Sequence, residues 1–305
     1  MKKTIIFVLL AAITVTALFG CKNKGVTNEI TAKYDKALLS SSTLGGNKSY
    51  TDAETKVTGT VKETFPGFVP VYEITPRTIT EEEKNAIISL IDMDRFQRNM
   101  KFIEHEDNIL SVRGETVSTE LLEYGSFDIS DDELKEKALD VLHRISFIED
   151  DYQYAGIYST RKLSKNDETY ILRKGVCFRR YLNGIPVSGD DKIVIEFTKL
   201  GLEGIMMNLY NYKNVGEAYL IPLDEAYKKV NTPDGFTVEQ ESGEPLGKCE
   251  TLEVQKVRLT YFNQNRSGAR ILQPIYDFKG IATDGNGVSE EFTSSVIAMQ
   301  DKYFN

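Results

Sequence analysis

The stretch Ser130–Ile145, SDDELKEKALDVLHRI, carries the strongest secondary-structure signal in the chain and decides the predicted fold. Ser130 and Glu133 have the spacing of a capping box, in which a hydroxyl and a carboxylate satisfy backbone N–H groups at a helix start. Apolar residues then recur at helical spacing, namely Leu134, Ala138, Val141, Leu142 and Ile145. The stretch therefore predicts an amphipathic helix with one buried face.

Strand-like segments follow this helix and predict an antiparallel meander. They are Gln153–Leu163, Thr169–Leu182, Lys192–Thr198 and Gly204–Tyr212, with turn residues such as Asn183-Gly184 between them. The arrangement then repeats, with a short helix at Pro222–Val230 and strands at Leu252–Asn263, Ile271–Gly280 and Glu291–Met299. A capping box at Thr80 and Glu83 predicts an earlier helix.

These patterns predict an α+β fold of tandem units, each a helix followed by an antiparallel meander. The predicted units span residues 65–128, 129–218 and 219–305. The central unit has one helix and four strands, and the C-terminal unit has one helix and three strands. A helix lying across an antiparallel sheet would bury one face of each.

Part of this pattern resembles PepSY and fungalysin-propeptide-type domains. The residues that carry the resemblance are Phe178–Val187, Ile193–Phe197, the helix Pro222–Val230, and the strand pair Val257–Tyr261 with Leu272–Tyr276. The same pattern is similar to the extracytoplasmic YycH/YycI-type regulators of Gram-positive bacteria, and it covers residues 130–300. The resemblance implies cystatin-like units that form a non-enzymatic module, which binds or restrains a neighbouring protein.

The N-terminal residues have the layout of a secretory signal peptide. A basic start precedes an apolar run from Ile5 to Phe19, which is short for a membrane-spanning helix. The run ends in Leu18-Phe19-Gly20-Cys21, which resembles the lipobox of bacterial lipoproteins, whereas the regulators named above have an anchor helix. The resemblance implies cleavage of residues 1–20 and attachment of a diacylglyceryl group to the Cys21 thiol. The alternatives are an uncleaved anchor helix and an ordinary signal cut at another site.

Residues 21–64 are predicted to form a flexible linker after the acylated cysteine. Their small and polar composition leaves too little apolar surface to offset the loss of chain entropy on folding. The net charge of −9 disfavours nucleic acid and anionic lipid as partners. We therefore expect lipid on Cys21 to hold the protein at the outer face of the cell membrane, in a Gram-positive cell rather than at an outer membrane. The expected partner is an envelope or secreted protein.

Candidate catalytic and metal-binding residues are few. His105 has acids beside it, but residues adjacent in sequence do not share a face and make a poor ligand set. His143 lies in the predicted helix, Asp190-Asp191 in a predicted exposed turn, and Asp284–Gly287 in a Gly-rich hairpin rather than a calcium loop. The sequence contains no nucleophile elbow, Walker loop or HExxH pattern. It predicts no enzyme activity, no catalytic residue, no metal and no cofactor.

Three tyrosines form a candidate docking face. Tyr152, Tyr154 and Tyr158 alternate along one predicted strand and would share one side of the sheet. Core packing is the more frequent cause of such a pattern, whereas exposed tyrosines would make it a protein-docking surface. Cys177 and Cys249 are expected to be free thiols, although an extracytoplasmic location permits a disulfide. The alternative function is binding of a solute or polymer in a pocket between units.

Overall fold

The structure is a computed structural model that describes most of the chain. The described residues are 26, 28–35, 55–59, 62–92, 101–106, 108–114, 121–165, 168–230, 235–239, 249–263 and 271–305. The predicted signal peptide and Cys21 lie outside them.

The elements alternate between long strands and a small number of helices. In chain order they are β1 (Lys56–Gly59), β2 (Phe68–Pro76), α1 (Glu81–Leu90), β3 (Lys101–Glu106), β4 (Ile109–Gly114), α2 (Asp131–His143), β5 (Tyr152–Lys165), β6 (Glu168–Leu182), β7 (Ile185–Gly189), β8 (Lys192–Thr198), β9 (Gly201–Asn208), β10 (Tyr210–Tyr219), α3 (Leu223–Lys229), β11 (Gly235–Glu239), β12 (Cys249–Asn263), β13 (Ile271–Asp284) and β14 (Ser289–Ile297).

One large mixed β-sheet dominates the fold. Its strand order is β10-β2-β13-β12-β7-β6-β8-β9-β4-β3, with β5 beside β6, β14 beside β13, β11 beside β14, and β1 beside β12. Most neighbours are antiparallel, but β12 pairs in parallel with both β1 and β7. All 14 strands in the described parts of the chain belong to this sheet.

The predicted α+β class of tandem helix-plus-meander units is therefore wrong. The short strand β7 pairs with β6 on one side and with β12 on the other, which joins the two predicted meanders into one sheet. Strand β2 lies between β10 and β13, so strand pairs also cross the predicted unit boundaries. Hydrophobic periodicity and turn residues report on neighbours along the chain, and they contain no signal for pairs between such distant segments.

The two longer helices begin where the sequence predicts. Thr80 Oγ1 accepts a hydrogen bond from Glu83 N at 3.2 Å, and Glu83 Oε2 accepts one from Thr80 N at 2.9 Å, which completes the capping box of α1. Ser130 Oγ accepts from Glu133 N at 3.2 Å at the start of α2. The predicted apolar residues of α2 are buried, so its amphipathic face is confirmed.

Three apolar clusters make up the core. The first lies between helices α1 and α2 and the strands β4, β5, β6, β8 and β9. The second joins α3 to β12, β13 and β14. The third is smaller and collects residues from β2, β10, β13 and the C-terminal residues 299–304, together with Ile30. In the first cluster α1 and α2 cover one face of the sheet, and in the second α3 covers a face of another part of it.

Two parts of the predicted linker lie against the sheet. Residues 28–35, which we call the N-terminal strap, bridge to Glu217 of β10 and to Phe304 near the C-terminus. Strand β1 pairs with Thr251–Val254 of β12. These two parts are integral to the fold. The remainder of residues 21–64 is largely outside the described residues, and there the linker stays a prediction.

Candidate functional site

The three tyrosines of the predicted docking face lie in different environments. Tyr152 is buried, and its hydroxyl donates a hydrogen bond to Asp191 at 2.5 Å. Tyr154 is half-buried and packs edge-on against Phe178, with ring centroids 6.4 Å apart. Tyr158 is 47% exposed, and the Lys192 ammonium lies 5.1 Å from its ring centroid. Of the three, Tyr158 alone remains available as an exposed docking residue.

Bulges in β5 explain why the tyrosines separate. The register of β5 against β6 shifts between Tyr154 and Gly156 and again between Ile157 and Ser159. Each bulge adds one residue, which reverses the alternation of side chains between the two faces. Ile157 therefore follows Tyr154 into the apolar cluster beneath α2, and Tyr158 does not. Sequence alternation alone could not reveal these bulges.

A buried polar cluster surrounds Asp191, which the sequence placed in an exposed turn. Asp191 lies between β7 and β8 with no exposed surface. Its two oxygens accept hydrogen bonds from the hydroxyls of Tyr152 and Tyr212. Burial raises the pKa of Asp191 to about 6, although both hydroxyl donors and the nearby Arg180 lower it. The pKa values of the two tyrosines are raised by burial and by the carboxylate charge.

Arg180 of β6 closes this cluster. Its guanidinium donates to Asp151 at 2.5 Å, to the backbone oxygen of Tyr210 at 2.8 Å, and to Glu149. The same group lies 5.5 Å from the ring centroid of Tyr152 and 5.0 Å from that of Tyr212. Since both carboxylate oxygens of Asp191 and both tyrosine hydroxyls bond within the cluster, the arrangement fixes β5, β6 and β10 relative to the β7–β8 turn.

Two ion pairs with buried carboxylates lie on the sheet strands β4, β6, β8 and β9. Arg173 pairs with the fully buried Glu203, and Arg113 Nη2 lies 2.7 Å from Glu196 Oε2. Gly204 lies between Arg113 and Glu196 in the strand register, and a Cβ there would meet Arg113 Cγ at 3.3 Å. The missing side chain thus lets the arginine reach across β9. Burial raises the pKa of Glu203, which the Arg173 charge opposes.

The remaining candidate residues have structural surroundings. Cys177 and Cys249 are both buried and form no disulfide, and burial raises the pKa of the Cys177 thiol. Asp284 Oδ1 accepts from the backbone N–H groups of Asn286 and Val288, each at 2.9 Å, as expected for a hairpin turn. His143 is the exposed last residue of α2.

An open groove lies beside α2. The volume of the groove is about 480 Å³. Apolar and charged side chains both line it: Leu90, Val141, Phe197 and Leu202 are apolar, and Glu136, Lys137, Asp140 and Arg144 are charged. Within the described ranges, no group of three or more His, Cys, Asp and Glu side chains is placed to hold a metal ion. In the same ranges, no helix is both long and apolar enough to cross a membrane.

The outer part of the β5–β6 hairpin extends beyond the rest of its sheet. Pairing between β6 and β8 ends at Arg173, whereas pairing between β5 and β6 continues to Lys165 and Glu168. We call the described residues from 158 to 170 the hairpin arm. Residues 158–161 lie beside the part of β6 that pairs with β8, and the remainder extends past it. The arm exposes Tyr158, the cations Arg161, Lys162 and Lys165, and the carboxylate of Glu168. In the part of the chain that the structure describes, β5 pairs with β6 alone.

Comparison with known proteins gives one structural similarity. No protein-family model matches the chain, and no curated protein matches it. Its fold is similar to that of YycH from Bacillus subtilis, with 12% sequence identity and a TM-score of 0.40. The matched region covers 71% of this chain and 49% of YycH, so the chain spans about half the length of that protein. The similarity concerns part of the fold alone.

Proposed function

We propose that this chain is a lipid-anchored extracytoplasmic protein that acts by binding another envelope or secreted protein, without catalysing a reaction. The anchor is the acylated thiol of Cys21, and the binding element is the hairpin arm. The sequence pattern ending at Cys21 supports the anchor. The exposed residues of the arm, and the pairing of β5 with β6 alone in the described residues, support the arm as the binding element.

The hairpin arm is the observation that carries the binding proposal. Arg161, Lys162 and Lys165 are exposed, with one exposed carboxylate at Glu168, on an edge hairpin whose outer half extends past β8, while the whole chain has a net charge of −9. A local cluster of cations on an acidic protein favours a partner surface of negative charge, because complementary charges orient the encounter and speed association. Tyr158 adds an exposed aromatic ring, a residue type enriched in protein interfaces.

The same features have a second explanation, which is protection of an edge strand. Lysines and bulges on an edge strand discourage pairing with other chains and so prevent aggregation. Strand β5 has both, with register shifts at three places and cations along its outer half. The two explanations differ in their consequences, because a protective element binds no partner whereas a docking element loses its partner when its charge is reversed.

Charge reversal of the hairpin arm tests the binding proposal. The test variant carries Arg161→Glu, Lys162→Glu and Lys165→Glu in the full-length chain. The matched control carries Lys137→Glu, Lys213→Glu and Lys256→Glu, which reverse three exposed lysines elsewhere. Crosslinking on intact cells identifies the partner, and titration of the purified pair measures its dissociation constant. We expect at least tenfold weaker binding for the arm variant and less than twofold for the control. Equal affinity of both variants would reject the arm as the docking site.

Removal of the acylated cysteine tests the anchor separately. Cys21→Ser lacks the thiol to which lipid is attached, so we expect it to incorporate no fatty acid, whereas the wild type does. Growth of cells with a labelled fatty acid, followed by immunoprecipitation of each form, gives the incorporation. A wild-type chain that carries no label, or a Cys21→Ser chain that carries as much as the wild type, would contradict the proposed anchor.

A further inference from the structure

The N-terminal strap forms backbone hydrogen bonds with β10. Ile30 N donates to Glu217 O at 3.0 Å, and Glu217 N donates back to Asn28 O at 2.8 Å. The Ile30 side chain is buried in the third apolar cluster beside Val71 and Ala218. An apolar side chain and two main-chain bonds therefore attach the strap at this point.

The strap also bonds to the C-terminal residues. Glu29 Oε1 accepts from Lys302 Nζ and from the Tyr303 hydroxyl, both at 2.6 Å. Tyr34 N donates to Tyr303 O at 3.0 Å, and Asn305 N donates to Tyr34 O at 3.1 Å. The C-terminal residues, more than 260 positions away in sequence, therefore bond to the strap near both of its ends, at Glu29 and at Tyr34.

Strand β10 has a backbone shaped for the strap. Gly216 has φ +136°, a conformation that side chains disfavour, and it lies at a register shift of β10 against β2. A Cβ at Gly216 would meet Asn28 O at 2.7 Å and Ile30 Cγ2 at 2.9 Å. The strap therefore passes so close to β10 that glycine is required at this position.

The short distance in sequence between the strap and Cys21 limits how far the fold can lie from its anchor. About seven residues separate Cys21 from Asn28, and even a fully extended chain of that length spans only about 25 Å. A free linker over the whole of residues 21–64 would span about 35 Å on average and more than 100 Å when extended. Attachment of the strap thus shortens the tether several-fold.

We propose that the strap holds one end of the sheet, formed by the strap itself and the C-terminal residues 299–305, against the lipid bilayer. This inference rests on the proposed anchor at Cys21. The exposed residues at this end have both signs of charge, with the cations Lys33 and Lys302 and the acids Glu29, Asp35 and Asp301. The short acylated tether, rather than a basic patch, therefore brings this end to the headgroups.

The orientation also determines where the hairpin arm lies. Strands β6 and β10 meet where Arg180 Nη1 donates to Tyr210 O at 2.8 Å. The strap bonds to Glu217, seven residues or about 23 Å along β10 from this contact. The arm ends at Tyr170, ten residues or about 33 Å along β6 from the same contact. The strap and the arm therefore lie at the far ends of these two strands, and holding the strap at the bilayer leaves the arm open to a partner outside the membrane.

Energy transfer from two labelled positions tests this orientation. Acylated full-length protein, with Cys177→Ala and Cys249→Ala, carries a donor dye either at Asp301→Cys in the C-terminal residues or at Lys162→Cys in the arm. Vesicles of phosphatidylglycerol and phosphatidylethanolamine contain an acceptor dye on the headgroup. We expect at least twofold higher transfer efficiency from position 301 than from position 162.

Two matched substitutions show whether the strap causes the difference. Ile30→Asp places a charge in the apolar cluster and should release the strap, which makes the two labelled positions equal within 20%. Ala32→Asp adds the same charge at an exposed position of the strap and should keep the difference. An insertion of about twenty Gly and Ser residues after Lys22 leaves the strap sequence intact and should also remove the difference.

The outcomes separate the orientation from the anchor. Intact mass determines whether Cys21 carries its acyl groups, and an unmodified chain overturns both proposals. An acylated chain with equal transfer from both positions, or one in which Ile30→Asp and the insertion change nothing, overturns the orientation and leaves the anchor standing.

Discussion

Two regions of this sheet are built in opposite ways. In the meander region, α2 packs on β5, β6, β8 and β9, which follow one another closely along the chain. In the composite region, the N-terminal strap, β2, β10 and the C-terminal residues come from distant parts of the chain. The strands of a meander meet after only short loops close, whereas the contacts of the composite region form only after long stretches of chain have been closed into loops, at a greater cost in chain entropy.

The two regions have different parts in the function that we propose. The meander region carries the hairpin arm, whose contacts are between sequence neighbours. The composite region fixes the segment that follows Cys21, which under the proposed anchor would limit the distance between fold and membrane. The Asp191 cluster joins the two regions, because Tyr152 belongs to the first and Tyr212 to the second. Substitutions in each region and in the cluster test whether the two regions behave as described.

The largest effect is expected in the core of the meander region. Leu134 is a fully buried residue of α2. Leu134→Ala should lower the free energy of unfolding by about 3 kcal/mol, because it removes buried methyl groups and leaves a cavity. Urea unfolding measures the change. The exposed Lys137→Ala on the same helix is the control and should change it by less than about 0.5 kcal/mol. Similar losses for both variants would contradict the packing of α2.

A smaller effect is expected where the composite region depends on one long-range hydrogen bond. The Tyr261 hydroxyl donates to the backbone oxygen of Pro70 at 2.7 Å, across 191 residues of sequence. Tyr261→Phe should lower the free energy of unfolding by about 1–2 kcal/mol, because the partly buried Pro70 carbonyl loses its hydrogen-bond donor. Tyr170→Phe is the control, because the Tyr170 hydroxyl donates to the exposed carboxylate of Glu168. Urea unfolding should show little change in its free energy of unfolding. A neutral Tyr261→Phe would contradict the pairing of β2 with this part of the sheet.

The smallest effect is a pH dependence in the cluster that joins the regions. Asp191 has a pKa of about 6 in the fold against an ordinary value of 3.8. The folded state therefore binds this proton more tightly, so acidification from pH 6 towards 3.8 stabilises the fold and a rise in pH removes that stabilisation. Between pH 7.5 and pH 5, the wild type should gain about 1 kcal/mol of unfolding free energy relative to Asp191→Asn. Parallel pH profiles of the two proteins would refute the raised pKa.

Sequence reasoning succeeded where the signal was local. The hydroxyl caps at Thr80 and Ser130 were predicted from spacing and are confirmed by their hydrogen bonds to Glu83 N and Glu133 N. The turn at Asn183-Gly184 is confirmed by the positive φ of both residues, 50° and 77°. Such features depend on residues three or four positions apart, which a single sequence contains in full.

Sequence reasoning failed where a residue acquires its role from distant partners. Asp191 follows another acid in a short turn, and nothing near it indicates that Tyr152 and Tyr212 will surround it. The strap has a polar composition typical of a linker, and its attachment depends on Gly216 and on Tyr303. The predicted tandem units failed for the same reason, since the pairs of β2 and β7 are long-range.

Amide hydrogen exchange of the N-terminal strap tests most directly whether the composite region includes the segment after Cys21. Ile30 and Tyr34 donate backbone hydrogen bonds to Glu217 and Tyr303, so their exchange should be slowed at least a hundredfold relative to an unstructured peptide. The neighbouring Thr31 and Lys33 are exposed and serve as internal references. Exchange of Ile30 and Tyr34 at the rate of an unstructured peptide would contradict the attached strap and restore the predicted free linker after Cys21.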